Sequence, residues 1–110
     1  MLVPFNKITS NIGGHYNTDI YTFVCPYDGI YLFSTSLNQH GSTTNPGTGI
    51  YRNSQQLLRA WAWDKHESIT PVIVTECESG DSVFVNVEFS GNFDAWYSPP
   101  HFTGYLLHRY

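Results

Sequence analysis

The sequence is poor in charged residues and has no long apolar run. Charged residues make up 13% of its 110 residues, and five Lys and Arg stand against nine Asp and Glu, for a net charge of -4. That sign is wrong for releasing counterions from a phosphate backbone, so we do not expect nucleic acid as a partner. No apolar stretch approaches the ~18 residues that a membrane-spanning helix needs, so we expect no membrane span.

Cysteine is also scarce, with two examples, Cys25 and Cys77, at no metal-ligand spacing. The sequence leaves a single disulfide and two buried thiols open as alternatives, because the separation of the Cα atoms decides between them. The histidines show neither an i, i+4 pair on a helix nor Cys/His ligand spacing, so no metal site is predicted. They are His15, His40, His66, His101 and His108.

Aromatic residues, in contrast, are abundant at 16% of the chain. Short runs of β-branched and aromatic residues recur roughly every 8 to 12 residues, separated by Gly, Pro, Asn, Asp and Ser. No pattern of a long amphipathic helix, no repeat and no linker interrupts them. The sequence therefore predicts one all-β domain over residues 1–110, with the spacing of a sandwich or barrel.

The clearest strand pattern is the alternation of Val83, Val85, Val87 and Phe89 with polar residues, which places those four side chains in a core. Phe84 falls on the opposite face. A large apolar residue there indicates either a subunit interface or a singly exposed side chain.

Two hairpins are expected from turn chemistry. Residues 71–77 and the strand from Ser82 flank a turn-forming stretch at 78–81. Residues 21–24 and 30–33 flank a loop in which Pro26 fixes φ and Gly29 permits a positive φ. The segment from Gly41 to Gly49 carries small and polar residues and is predicted to be an exposed loop.

A set of aromatic, Asn and Gly residues has the order and spacing of a known family signature. Its members are Phe5, Asn11, Tyr16, Phe23, Gly29, Tyr31 and Phe33. Residues 50–53, 79–83 and 102–107 add to the match, and together they resemble the globular head of complement C1q over nearly the whole chain. The sequence departs from the family at Thr35, where an aromatic is usual, and at Ser54, where Gly is usual.

The resemblance implies a jelly-roll β-sandwich of two antiparallel sheets, TNF-like, in a secreted protein that assembles as a homotrimer. Aromatic residues of the signature and of the final strand are expected in its core, namely Phe5, Phe23, Tyr31, Phe33 and Phe102. Gly104 is expected to leave room for a neighbouring backbone or ring. Some relatives bind calcium near the trimer apex around the strand that here carries Asn53, where a carboxylate would be the better ligand, so we expect no cofactor.

One stretch, Gly80–Val83, has the appearance of an esterase nucleophile motif. A nucleophile elbow requires a strand, a turn and a helix, whereas Ser82 begins a strand. We therefore interpret the stretch as a turn and expect no enzyme.

Two aromatic clusters are candidates for ligand binding. Trp61 and Trp63 share one face of a predicted strand beside Arg59, and aromatic platforms next to polar groups suit sugar rings. A loop over residues 92–98 supplies the second cluster. Its candidate contacts are Asp94, Trp96 and Tyr97. The alternative is that these aromatics bury a subunit interface.

Two functions follow from the resemblance. The first is a lectin-like pattern-recognition protein of innate immunity that binds microbial or cell-surface glycans through the two clusters. The second is a protein-binding ligand or extracellular scaffold head that engages a protein receptor.

Overall fold

The structure is a computed structural model that describes residues 15–38, 47–61, 68–87 and 101–110. These ranges contain nine strands and no helix. The strands are β1 (Tyr16–Asn17), β2 (Thr22–Val24), β3 (Gly29–Asn38), β4 (Gly47–Arg52), β5 (Gln55–Trp61), β6 (Ser68–Ile69), β7 (Val72–Cys77), β8 (Ser82–Val87) and β9 (His101–Arg109). No helix of the described residues is long and apolar enough to cross a membrane.

The strands form two antiparallel sheets that face each other. One sheet has the order β1-β2-β8-β4-β5, and in the other β3 pairs with β6, β7 and β9. Strands that neighbour each other in a sheet are mostly distant in sequence, as a jelly roll requires. The expected all-β jelly-roll sandwich is confirmed.

Aromatic rings from both sheets fill the space between them. Phe23 of the first sheet lies 5.4 Å from Phe33 and 6.1 Å from Tyr31 of the second, measured between ring centroids, in edge-to-face contacts. Such pairs stabilise a core beyond their buried area. These three predicted core residues are buried, and Phe102 packs against them while partly exposed. Phe5 lies outside the described residues.

Thr35 shows how the core tolerates the departure from the family pattern. Its side chain is buried, and its hydroxyl donates to the backbone carbonyl of His101 at 2.9 Å. Because a buried hydroxyl without a partner is costly, this bond makes Thr acceptable where an aromatic is usual.

The alternation predicted for β8 is confirmed at Val83 and Val85, which are both buried. The side chain of Val87 and all of Phe89 lie outside the described residues. Phe84 points to the other face and stacks on Tyr51 of β4, with ring centroids 5.5 Å apart and planes 5° apart. Phe84 therefore has a partner within its own chain.

Both predicted hairpins are wrong. β7 pairs with β3, whereas β8 pairs with β2 and β4, so residues 78–81 carry the chain from one sheet to the other. Residues 25–28 do the same between β2 and β3. Turn residues specify that the chain reverses, but burial of the apolar side chains of both flanking strands decides that they face each other across the core. The hairpins that form among the described residues are β1–β2 and β4–β5.

Gly29 has a different role from the one expected. It is the first residue of β3 and does not have a positive φ. Among the described residues, Gly80 is the one glycine with positive φ, at 91°. A Cβ at Gly29 would collide with the carbonyl oxygen of His108, so the glycine permits close approach of β9. The loop predicted from Gly41 is also too long, because Thr48 and Gly49 are buried within β4. Residues 41–46 lie outside the described residues.

Candidate functional site

The structure describes one of the predicted contact side chains, that of Arg59. It is exposed on β5 opposite Gly49 of β4, and because Leu58 packs against the core, Arg59 points to the outer face. Trp61 is the last residue of β5. Its side chain lies outside the described residues, as do Trp63, Asp94, Trp96 and Tyr97.

The described strand ends nevertheless relate the two predicted clusters. Ala60 of β5 and Val87 of β8 lie opposite the same residue, Thr48, on the two sides of β4. Two strands that flank a third lie roughly 10 Å apart. β5, which ends at Trp61, and β8, which ends at Val87, therefore end on the two sides of β4 at the same end of the sandwich. Trp63 follows the first of these strand ends in sequence, and Asp94, Trp96 and Tyr97 follow the second.

The outer face of this sheet carries an aromatic patch near Arg59, which sequence reasoning missed. Tyr51 and Phe84 are stacked, and the side-chain amide of Gln56 donates to the Tyr51 hydroxyl at 3.1 Å. A Cβ at Gly49 would lie 2.7 Å from the Gln56 amide nitrogen and 2.9 Å from the Tyr51 ring, so the patch depends on glycine there. The sequence feature that could have predicted this patch is that Tyr51 and Phe84 both fall at outward-facing positions of their strands.

The other sheet exposes apolar side chains on its outer face. Val74 and Tyr105 are 56% and 62% exposed, and both lie opposite Leu32 on the central strand β3. Val72 and Leu107 are also exposed on β7 and β9. We call the five residues Leu32, Val72, Val74, Tyr105 and Leu107 the apolar face. Large apolar residues across three strands, most of them exposed, form the kind of surface that often contacts another molecule.

A polar pocket lies at the opposite end from the two clusters. Its volume is about 530 Å³, and Arg52, Glu76, Cys77 and Asp81 are among the residues that line it. Asn53 holds this end together, because its side chain donates to Asp81 at 3.1 Å and accepts from the Ser82 amide at 3.0 Å. Within the described ranges, no group of three or more His, Cys, Asp or Glu side chains is placed to hold a metal ion.

The two cysteines are free and buried in this structure. Cys25 follows β2, and Cys77 ends β7. Of the two alternatives left open by the sequence, the structure holds the pair as thiols.

Comparisons with known proteins agree with this architecture. The C1q domain family matches residues 1–107 of the chain. Complement C1q tumor necrosis factor-related protein 2 of Mus musculus is 29% identical over 115 residues, covering 96% of this chain and 37% of that protein. Complement C1q tumor necrosis factor-related protein 7 of Mus musculus is 30% identical over 115 residues, covering 96% and 38%. The chain therefore spans less than two fifths of these curated relatives.

A solved structure has the same fold. The globular domain of zebrafish complement 1qA protein superposes with a TM-score of 0.75 at 20% sequence identity, and the match covers 99% of this chain and 86% of that one. At 20% sequence identity, this similarity shows a shared fold and nothing further. The fold is thus shared by two proteins whose sequences differ widely, and function has to be argued from the site.

Proposed function

Since the chain belongs to the C1q domain family, we propose that it is a secreted recognition module that binds glycans on microbial or cell surfaces. The observation that carries the proposal is the pairing of Ala60 and Val87 with one residue, Thr48. This pairing places the ends of β5 and β8, after which the two aromatic segments follow in sequence, on either side of β4. The exposed Arg59 lies on β5. Loops at the end of a rigid sandwich are a common place for recognition.

The residue types of the two clusters suit a sugar. The apolar face of a pyranose ring packs on indole and phenol rings, while its hydroxyls accept from a guanidinium and donate to a carboxylate. The proposed aromatic contacts are Trp61, Trp63, Trp96 and Tyr97. Arg59 and Asp94 are the proposed polar contacts. Aromatic loss at such a site is expected to cost most of the affinity.

A glycan array with matched variants tests this function. Trp96→Ala and Arg59→Gln are each expected to lower binding of a recognised glycan about tenfold or more, which corresponds to about 1.4 kcal/mol. Arg109→Gln is the control, because Arg109 lies over the Tyr27 ring, 3.9 Å from its centroid, near the other end of the sandwich. Equal binding by all three variants and the wild type, or no binding to any glycan, would count against the proposal.

The second candidate is a protein-binding ligand or extracellular scaffold head. It is favoured by the names of the matched relatives, which relate them to tumor necrosis factor. Pull-down from tissue extract with competing free sugar separates the two functions. A partner that is lost when sugar is added supports glycan binding, and a protein partner that is retained supports the second candidate.

For either function we propose a homotrimer. The apolar face supports this assembly, because burying Val74, Tyr105 and their neighbours against other copies of the chain would remove them from water. Three copies around one axis also place three binding ends on one side, so weak contacts add up to useful avidity.

A further inference from the structure

The two buried cysteines come from opposite sheets and meet at the end of the sandwich that carries the polar pocket. Their exposed fractions are 1% for Cys25 and 3% for Cys77. The Cys25 amide donates to the Asp81 carbonyl at 2.9 Å, and its own carbonyl accepts from the Gly80 amide at 2.8 Å. These bonds hold Cys25 against the turn that directly follows Cys77. Each thiol acts on the pKa of the other through a side-chain hydrogen bond between them.

The two thiols differ in environment. The hydrogen bond from Cys25, together with the charge and hydrogen bond of Arg52, lowers the pKa of Cys77. The hydrogen bond to Cys77 and burial raise the pKa of Cys25. Cys77 also lines the pocket of about 530 Å³, whereas Cys25 is not among the residues that line it. Cys77 is therefore the sulfur that ionises first, and of the two cysteines it is the one that borders the pocket.

We propose that Cys25 and Cys77 form a redox-active pair that closes into a disulfide across the two sheets, with Cys77 as the attacking sulfur and Cys25 as the resolving one. The oxidant is a small-molecule disulfide of the glutathione class. The Cys77 thiolate attacks one of its sulfurs, which forms a mixed disulfide and releases one thiolate. Cys25 then loses its proton and attacks the Cys77 sulfur, which releases the second thiol. The protein gives up two electrons and two protons, and one external disulfide becomes two thiols.

The product joins the end of β2 to the end of β7 and closes a loop of about 50 residues, for which loop closure in the unfolded chain predicts a large gain in stability. The oxidised protein is therefore expected to melt roughly 10 °C or more above the reduced protein. This step goes beyond glycan recognition and involves the opposite end of the sandwich from Arg59. Glycan binding can therefore fail while disulfide formation succeeds, and the reverse.

The folded chain tests the pair directly. We would equilibrate the native protein in buffers of reduced and oxidised glutathione, and measure intact mass, free thiols and melting temperature. The expected result is a loss of mass equal to two hydrogen atoms, the disappearance of both free thiols, and a rise in melting temperature. Retention of both thiols in the folded protein at the most oxidising ratio, or oxidation without a rise in melting temperature, would overturn the proposal.

Single variants test the order of attack. Cys25→Ala is expected to stop at a mixed disulfide between Cys77 and glutathione, whereas Cys77→Ala is expected to leave Cys25 unmodified while the protein is folded. Equal modification of both variants, or faster modification of Cys25, would refute the assigned roles. If either variant fails to fold, brief alkylation of the reduced native chain gives the same information, because the peptide of Cys77 should be labelled before that of Cys25.

Discussion

At the scale of single residues, the hydroxyl of Tyr31 links the core to the connection between β2 and β3. The ring is fully buried, and its hydroxyl donates to the Tyr27 carbonyl at 2.7 Å and accepts from the Tyr27 amide at 3.1 Å. Burial raises the pKa of Tyr31 above its ordinary value. One side chain thereby satisfies two backbone groups in the connection between β2 and β3.

Replacing this hydroxyl leaves the Tyr27 backbone groups without their partner. Tyr31→Phe is expected to lower the free energy of unfolding by about 1–3 kcal/mol in denaturant titrations. Tyr27→Phe is the control, because it keeps the ring beneath Arg109 and the same backbone, and it should change stability by less than about 0.5 kcal/mol. Equal losses in the two variants would show that the Tyr31 bonds are not what stabilises the loop.

Asp81 makes stability depend on pH in the acidic range. Its carboxylate accepts from the Glu78 amide at 2.9 Å and from the Asn53 side chain at 3.1 Å, and these bonds lower its pKa below the ordinary 3.8. A carboxyl whose pKa is lower in the folded than in the unfolded chain stabilises the fold above pH 3.8. That contribution is lost as the pH falls from there through the lowered value.

The melting temperature measured from neutral pH down to below the lowered pKa checks this dependence. Asp81→Asn is expected to melt below the wild type at neutral pH and to lose less stability as the pH falls. Asp19→Asn, on the exposed turn between β1 and β2, should keep the wild-type slope. An Asp81→Asn curve parallel to that of the wild type would remove Asp81 as the cause.

At the scale of strands, Gly104 sets how closely β9 approaches the first sheet. A Cβ at this position would lie 2.9 Å from one ring carbon of Phe23 and 3.0 Å from another. Phe23 is confined by Tyr31 and Phe33, so the ring has little room to give. The sequence predicted such a role for Gly104, and the structure confirms it.

Gly104→Ala is therefore expected to cost about 1–3 kcal/mol of stability through overpacking, read as a lower melting temperature. Thr103→Ala is the matched control on the same strand, because Thr103 is exposed on the outer face. A Gly104→Ala variant as stable as Thr103→Ala would mean that Phe23 repacks without cost.

Strand positions followed from the sequence more readily than strand pairing did. Alternation is local, so Val83 and Val85 in β8 and Tyr31 and Phe33 in β3 were placed correctly. Pairing is not local, since the turns at 25–28 and 78–81 have the residues of hairpins and yet change sheet. For this reason the meeting of Cys25 with Cys77 was also beyond reach, because it depends on both crossings.

The sequence predicted only part of the candidate site, again because it does not show which strands pair. Arg59 was named as a contact because its aromatic neighbours adjoin it in sequence, and its role stays a prediction, although the structure does place it on an exposed face. The stack of Tyr51 on Phe84 was missed, because it joins strands that become neighbours only in the sheet. The apolar face was missed because Val72 and Val74 lie in a run that is apolar on both faces, and the sequence alone does not tell which face is covered.

At the scale of the whole molecule, the apolar face and the proposed glycan-binding end lie on different parts of the sandwich. Val74 belongs to the sheet of β3, and Arg59 to the other sheet. Assembly and ligand contact should therefore be separable by mutation. If the proposed trimer forms through the apolar face, Val74→Glu is expected to convert it to monomer in light scattering over a concentration series, because it would bury unpaired charge at each interface.

Ser54→Glu adds the same charge on an exposed turn of the other sheet and should leave the trimer intact. The two variants also separate avidity from affinity. For a free sugar, Val74→Glu should bind as the wild type does, since its single site is unchanged, whereas for a dense glycan surface it should bind about 100-fold more weakly or worse. A wild type that is monomeric, or a Val74→Glu variant that remains trimeric, would contradict assembly through this face. Equal loss for free and surface sugar would instead mean that Val74 acts on the binding site itself.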